Sequence, residues 1–150
     1  MGLEALLEHL MSLSAFIDRT VTELDHVRLR NLMRRRQDAL PQSAVHLLSE
    51  LIDNADVVPS RDVGAEIVTM YSQVRLRERP QGHERVLTLC YPDDAEPEKG
   101  FVSVLSPVGV ALLGARAGCC IRWLAPDGRQ HEAEVAEILF QPEASGDYTL

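Results

Sequence analysis

The chain has 150 residues, 15 Lys and Arg against 23 Asp and Glu, and a formal net charge of -8. That charge excludes a general DNA- or RNA-binding protein, because neutralising phosphates takes clustered cations. Hydrophobic residues make up 45% and aromatic ones only 5%, so a core is expected and it is aliphatic.

The length suits one domain, or a small domain with a helical appendage. Cys119 and Cys120 are adjacent and Cys90 stands alone, which fits reduced thiols and not a disulfide framework. No apolar run approaches the roughly 20 residues of a membrane-spanning helix, and the N-terminus lacks the basic flank of a signal peptide. The expectation is a soluble cytoplasmic protein with no membrane partner.

Leu3, Leu6, Leu7, Leu10, Leu13 and Ile17 fall on one helical stripe, which predicts a helix over about 3–17. Such a stripe packs either on its own domain or on a second copy, so a homodimer through this helix is one reading and a cover for the following helices is the other. Thr20 followed by Glu23 reads as a capping box and starts a second helix running to about Gln37. Its last turn carries Arg34, Arg35 and Arg36. Cations suit a helix C-terminus, and an acidic partner surface is the competing reading. Pro41 ends the connection. Ala44, Val45, Leu48, Leu51, Ile52 and Ala55 then predict a third helix over 43–55. The two helices make an antiparallel hairpin over about 20–55, with arms of roughly 25 Å at 1.5 Å per residue.

From Val57 the period changes to alternation. Ile67–Tyr71 reads as a strand, continued by a stretch with Val74 and Leu76 inward and Arg75 and Arg77 outward. Glu84–Tyr91 is a second strand, apolar on both faces and therefore central. The acidic stretch Pro92–Lys99 reads as a solvated loop without the spacing of a calcium loop. Phe101–Leu105 is a third strand. Ser106 is placed as N-cap and Pro107 as first residue of a short helix that Gly114 stops. Cys119–Leu124 and Gln130–Phe140 form a last hairpin around Pro126-Asp127-Gly128. Cys119 and Cys120 open a strand, so one side chain should point inward and one outward. The fold class is α+β, with residues 1–56 helical and 57–150 a small, mostly antiparallel sheet with one short helix.

Catalytic signatures are missing: no G-x-S-x-G, P-loop, C-x-x-C or H-E-x-x-H occurs. The five histidines are scattered without a metal-ligand partner. No cofactor, metal site or catalytic residue is expected.

Tyr91, the block Gly100–Pro107, Ala111-Leu112-Leu113-Gly114, Gly118 and Pro126-Asp127-Gly128 together resemble the C-terminal domain of the bacterial Gre transcript-cleavage factors. Val57-Val58-Pro59, Ile67–Ser72, Ser106–Gly114 and Gln141–Tyr148 lean toward the subgroup called regulator of nucleoside diphosphate kinase (Rnk). The resemblance covers about residues 20–150. It implies an FKBP-like C-terminal domain behind an N-terminal antiparallel coiled coil. It also implies RNA polymerase as a partner, bound near its secondary channel, with Ser106 and Pro107 on the docking surface and Val108 beside them. The subgroup name implies nucleoside diphosphate kinase as an alternative partner. Two positions depart from the family pattern: Leu105 stands where cleavage factors often carry an acid, and Gly118-Cys119 where Gly-Asp is frequent.

Cleavage factors carry two carboxylates at the hairpin tip to hold a metal ion. Here the tip is Arg34-Arg35-Arg36-Gln37-Asp38, and a lone Asp38 beside three arginines reads as salt-bridged. The expected protein is therefore a non-enzymatic transcription regulator that binds polymerase without cleaving transcripts. An adaptor of the kinase and a transcript-cleavage factor stand as alternatives. Prolyl isomerisation is set aside, because the aromatics are assignable to strands and fold analogy alone does not license function.

Overall fold

Thr20, Val21 and Thr22 are all β-branched, and they form a strand, β1 (Thr20–Thr22), where the sequence suggested the first turn of a helix. This computed structural model describes residues 2, 3 and 18–148; the helix expected over 3–17 falls, apart from Leu3, outside them. β1 pairs in parallel with β2 (Asp56–Val58), Val21 opposite Val57. The predicted capping box thus moves two residues on: Thr22 caps α1 (Glu23–Arg35), its Oγ1 accepting from the Asp25 N–H at 3.0 Å.

A connection through Pro41 leads to α2 (Gln42–Asn54). Arg30 pairs with Asp53, and the Ser49 hydroxyl donates to the Met33 sulfur at 3.4 Å. Rising along α1 therefore means descending along α2, and the two helices run antiparallel. Each arm has 13 residues, about 20 Å at 1.5 Å per residue, shorter than the spacing suggested.

The sheet has five strands: β3 (Gln73–Arg79), β4 (Glu84–Cys90), β5 (Phe101–Ser103), β6 (Cys120–Leu124) and β7 (Gln130–Phe140). Their order is β5-β4-β3-β7-β6. All pairings are antiparallel except β4 with β5. β4 lies inside the sheet, as its two apolar faces implied. Val74 and Leu76 point inward and are fully buried. Arg75 and Arg77 point outward, where Glu84, Glu134 and Glu137 from the flanking strands pair with them. A short helix, α3 (Pro107–Leu112), lies between β5 and β6.

Leu29, Leu48, Leu51 and Ile52 from the hairpin share one buried cluster with Leu76, Leu89, Val104, Leu112, Ile121 and Val135. Hairpin and sheet are packed through a common aliphatic core, whose burial is the main favourable contribution to folding.

Two further expectations of the sheet region fail. Ile67–Met70 is buried and Tyr71 half-buried, but the stretch is not a strand; only Ile67 forms a bridge, with Arg116. Its backbone bonds scatter: Val68 exchanges with Gly114 and Ala115, Met70 donates to Asp25, and Tyr71 donates to Leu89. Tyr71 sits at φ 66°, which closes a turn bonded between Thr69 and Ser72. The second failure is at Cys119 and Cys120, which are both exposed. Gly118 at φ 89° turns the chain just before them, and Cys119 precedes the first residue of β6.

Candidate docking surface

The Ser-Pro step is held by its neighbours on both sides. Ser106 caps α3: its hydroxyl accepts from the Gly109 N–H at 3.1 Å and donates to the Ser103 carbonyl at 2.6 Å. Ser103 in turn accepts the Leu105 N–H on its side chain at 3.0 Å and the Ser106 N–H on its carbonyl at 2.9 Å. Pro107 occupies the first helical position, where a missing N–H costs nothing. Pro107 is exposed, while Ser106 and Val108 are half-buried. Gly109 is required by space, since a Cβ there would lie 1.9 Å from the Ser103 carbonyl oxygen. The start of α3 is thus pressed onto the end of β5.

The far end of α3 is held by Arg19. Its Nη1 donates to the carbonyls of Ala111 at 2.5 Å and Leu113 at 3.2 Å. A guanidinium suits the negative end of a helix. Arg19 is 5% exposed, and burial lowers its pKa to about 10, with charge on Cys119 opposing.

Arg34, Arg35 and Arg36 lie exposed at the end of α1 and the start of the hairpin tip. Arg36 donates to both carboxylate oxygens of Asp93, at 2.9 and 3.1 Å. Asp93 belongs to the turn Pro92–Asp94 that follows β4. Both groups of candidate residues are therefore bonded to the stretch between β4 and α3: Arg36 through Asp93, Ser106 through Ser103. Asp38 makes no ion pair among the described residues, contrary to expectation, because its neighbour Arg36 pairs with Asp93 instead.

Several residues of this region were not legible as partners in the sequence. The loop Pro92–Lys99 is not merely solvated: Asp93 takes Arg36, and Asp94 accepts from the Tyr71 hydroxyl at 2.5 Å. Burial and that bond push the Tyr71 hydroxyl up. Asp25 is buried at the start of α1, its Oδ2 accepting the Met70 N–H at 3.1 Å. Burial raises its pKa to about 6. Thr69 donates to Glu143 at 2.6 Å, and Gln141 donates to the carbonyls of Gly64 and Ile67. Among the described residues no group of three His, Cys, Asp or Glu could hold a metal ion, and no helix is long and apolar enough to cross a membrane.

Residues 63–140 match the family described as transcription elongation factor, GreA/GreB, C-term. The "Regulator of nucleoside diphosphate kinase" of Escherichia coli (strain K12) is 38% identical over 130 residues, covering 87% of this chain and 95% of that protein. The "Transcription elongation factor GreA" of Solidesulfovibrio magneticus is 33% identical over 114 residues, covering 76% of this chain and 69% of that protein. A solved GreA/GreB elongation factor from Nitrosomonas europaea superposes with a TM-score of 0.68 at 33% identity, covering 81% of this chain and 99% of that one.

Proposed function

The chain belongs to the GreA/GreB family of transcription elongation factors, and we propose that it is a non-enzymatic regulator that binds RNA polymerase near its secondary channel without cleaving transcripts. In this reading residues 57–150 form an FKBP-like docking domain and residues 1–56 a helical region with a short coiled-coil hairpin. The docking face is the edge at Ser106, Pro107 and Val108, with Pro107 exposed and its two neighbours half-buried, and Arg34, Arg35 and Arg36 meet an acidic partner surface.

The composition of the tip carries the proposal. Between α1 and α2 the connection 36–41 holds one carboxylate, Asp38, two residues after Arg34-Arg35-Arg36. A hard divalent cation needs several oxygen donors, and metal-assisted cleavage needs the ion in place. A tip with one acid among three guanidinium groups repels that ion. The arms of about 20 Å also limit how far the tip reaches.

Pull-down of RNA polymerase tests the proposal. The wild-type chain should retain polymerase and compete with a cleavage factor for it. Pro107→Glu should weaken retention while leaving the fold intact, since an acid at the first helical position suits the dipole. Arg34→Glu with Arg35→Glu should weaken it further. Stalled elongation complexes should release no short 3′ RNA fragments in the presence of the protein. Absence of polymerase binding refutes the reading. The name of the E. coli relative favours a second reading, an adaptor of nucleoside diphosphate kinase, and copurification of that kinase without polymerase would select it.

A further inference from the structure

The outward face of the sheet carries one row of side chains that neither the core nor the proposed function uses. Phe101 on β5 pairs in register with Thr88 on β4, Thr88 with Gln73 on β3, and Gln73 with Phe140 on β7. Directly opposed residues share a face, so the four stand side by side across four strands. At about 4.8 Å between neighbouring strands, the two phenylalanine positions lie roughly 14 Å apart. The row extends one step past β5. Glu96 and Phe101 exchange both backbone hydrogen bonds, at 3.0 and 3.1 Å, which sets Glu96 opposite Phe101 on the same face.

These residues form an apolar groove of about 270 Å³, lined by Tyr71, Gln73, Thr88, Phe101 and Phe140. Phe101 is 38% and Phe140 43% exposed, and Val86, next along the same face of β4, is exposed as well. Contiguous apolar surface of this kind marks an interaction site, unlike scattered single residues. Farther along β3 the same face is closed by charge: Arg75 pairs with Glu84 and Glu137, and Arg77 with Glu84 and Glu134. Tyr71 is the fixed wall of the groove. It sits at φ 66°, a region that bulky side chains avoid. Its N–H donates to the Leu89 carbonyl at 2.7 Å and its hydroxyl to Asp94 at 2.5 Å. A ring tied at both ends has little freedom left to lose when a ligand arrives.

Size and charge select the occupant. The groove is smaller than the roughly 300–1,000 Å³ of small-molecule pockets and suits one side chain. Its rim is acidic: Glu96 ends the row, Asp94 holds Tyr71, and the segment 92–99 carries Asp93, Asp94, Glu96 and Glu98 against Lys99 alone. Asp93 is engaged by Arg36 and Glu96 by Lys99, the latter an exposed pair that a competing cation replaces at little cost. Phosphate is repelled by such a rim, and a basic partner is attracted. We propose that the groove takes one large apolar side chain of a protein partner, presented between Lys or Arg residues that meet Glu96 and its neighbours. The contact is separate from Pro107 and from the arginine cluster, and it does not depend on the partner being polymerase.

A dye-labelled synthetic peptide with blocked termini and one phenylalanine between pairs of lysines is the probe, titrated with the full-length chain at low salt and read by fluorescence anisotropy. The wild-type chain should bind it saturably. Alanine in place of the phenylalanine should weaken binding by about 10-fold or more, and glutamates in place of the lysines should abolish it. Phe101→Ser and Phe140→Ser should each weaken binding by about 10-fold, and Glu96→Lys by about two- to five-fold, an effect that fades with salt. No saturable binding to the wild-type chain at millimolar concentration, or equal binding of the alanine or glutamate peptide, would overturn the proposal. Sedimentation showing a dimer that Phe101→Ser breaks would give the groove to a second copy and overturn it too. The peptide comparisons are read on the wild-type protein, so the outcome does not depend on any variant folding.

Discussion

Replacing Asp25 by Asn should make the protein more stable at neutral pH and remove part of its pH dependence. Asp25 is 2% exposed. Burial is the largest cause that raises its pKa from 3.8 to about 6; the Met70 N–H opposes it, Glu143 adds to it, and Thr22 and Arg28 oppose it. The folded state therefore holds this proton more tightly than the unfolded chain does. The favourable contribution is complete below about pH 4 and is lost as pH rises through about 6. The gap between 3.8 and about 6 corresponds to about 3 kcal/mol. Asn is nearly isosteric, cannot ionise, and its carbonyl can still accept the Met70 N–H.

Urea denaturation of both proteins between pH 4.5 and 8 measures the difference. Asp25→Asn should gain on wild type as pH rises, approaching about 3 kcal/mol at pH 8. A difference that is flat with pH, or that shrinks as pH rises, would refute the reasoning. Asp25→Ala separates charge from hydrogen bonding: it strands the buried Met70 N–H and should cost about 1–3 kcal/mol relative to Asn at every pH.

Gly109→Ala places a Cβ 1.9 Å from the Ser103 carbonyl oxygen; α3 must lift from β5, at a cost of about 1–3 kcal/mol or more, read as a lower melting temperature. Arg36→Asp and Asp93→Arg each break the tip contact, and the double variant restores it. A double-mutant cycle should return a coupling of at most about 1 kcal/mol that fades with salt, as exposed pairs do. Sedimentation of the chain with and without residues 1–17, which carry the leucine stripe, separates its two readings: a dimer that becomes a monomer on deletion assigns the stripe to a second copy, and a monomer in both cases assigns it to its own chain.

The parts of the fold that sequence reasoning finds are those whose signal is local. Ser106-Pro107 caps a helix because of what the two residues are, and Gly114 ends it because φ is 75° there. Val74 and Leu76 face inward because strand side chains alternate. The failures share another cause: the deciding partner is distant in sequence. Ile67–Tyr71 has strand composition, but its backbone partners sit on α1, β4 and the end of α3. Thr20-Val21-Thr22 reads as a helix start until Asp56-Val57-Val58 lies beside it. Asp93 looks solvated until the hairpin brings Arg36 to it, 57 residues away. The Ser106 cap was legible from its neighbours, whereas the bonding of the arginine cluster was not.

The same long-range contacts define what the hairpin can do. Its base is fixed by buried groups: Arg19 on the carbonyls of α3, Asp25 on Met70, and the leucines of both helices in the common core. Its tip is held to the sheet region by Arg36 and Asp93, whose side chains are 42% and 76% exposed. An exposed pair contributes at most about 1 kcal/mol, whereas stranding one buried hydrogen-bonding group costs about 1–3 kcal/mol. Under load the tip releases before the base. An acidic partner surface that outcompetes Asp93 for Arg36 would free the end of the hairpin while α3 and the Ser106-Pro107 face keep their geometry. That ordering makes the arginine cluster the adjustable half of the proposed interface and the Ser-Pro step the rigid half.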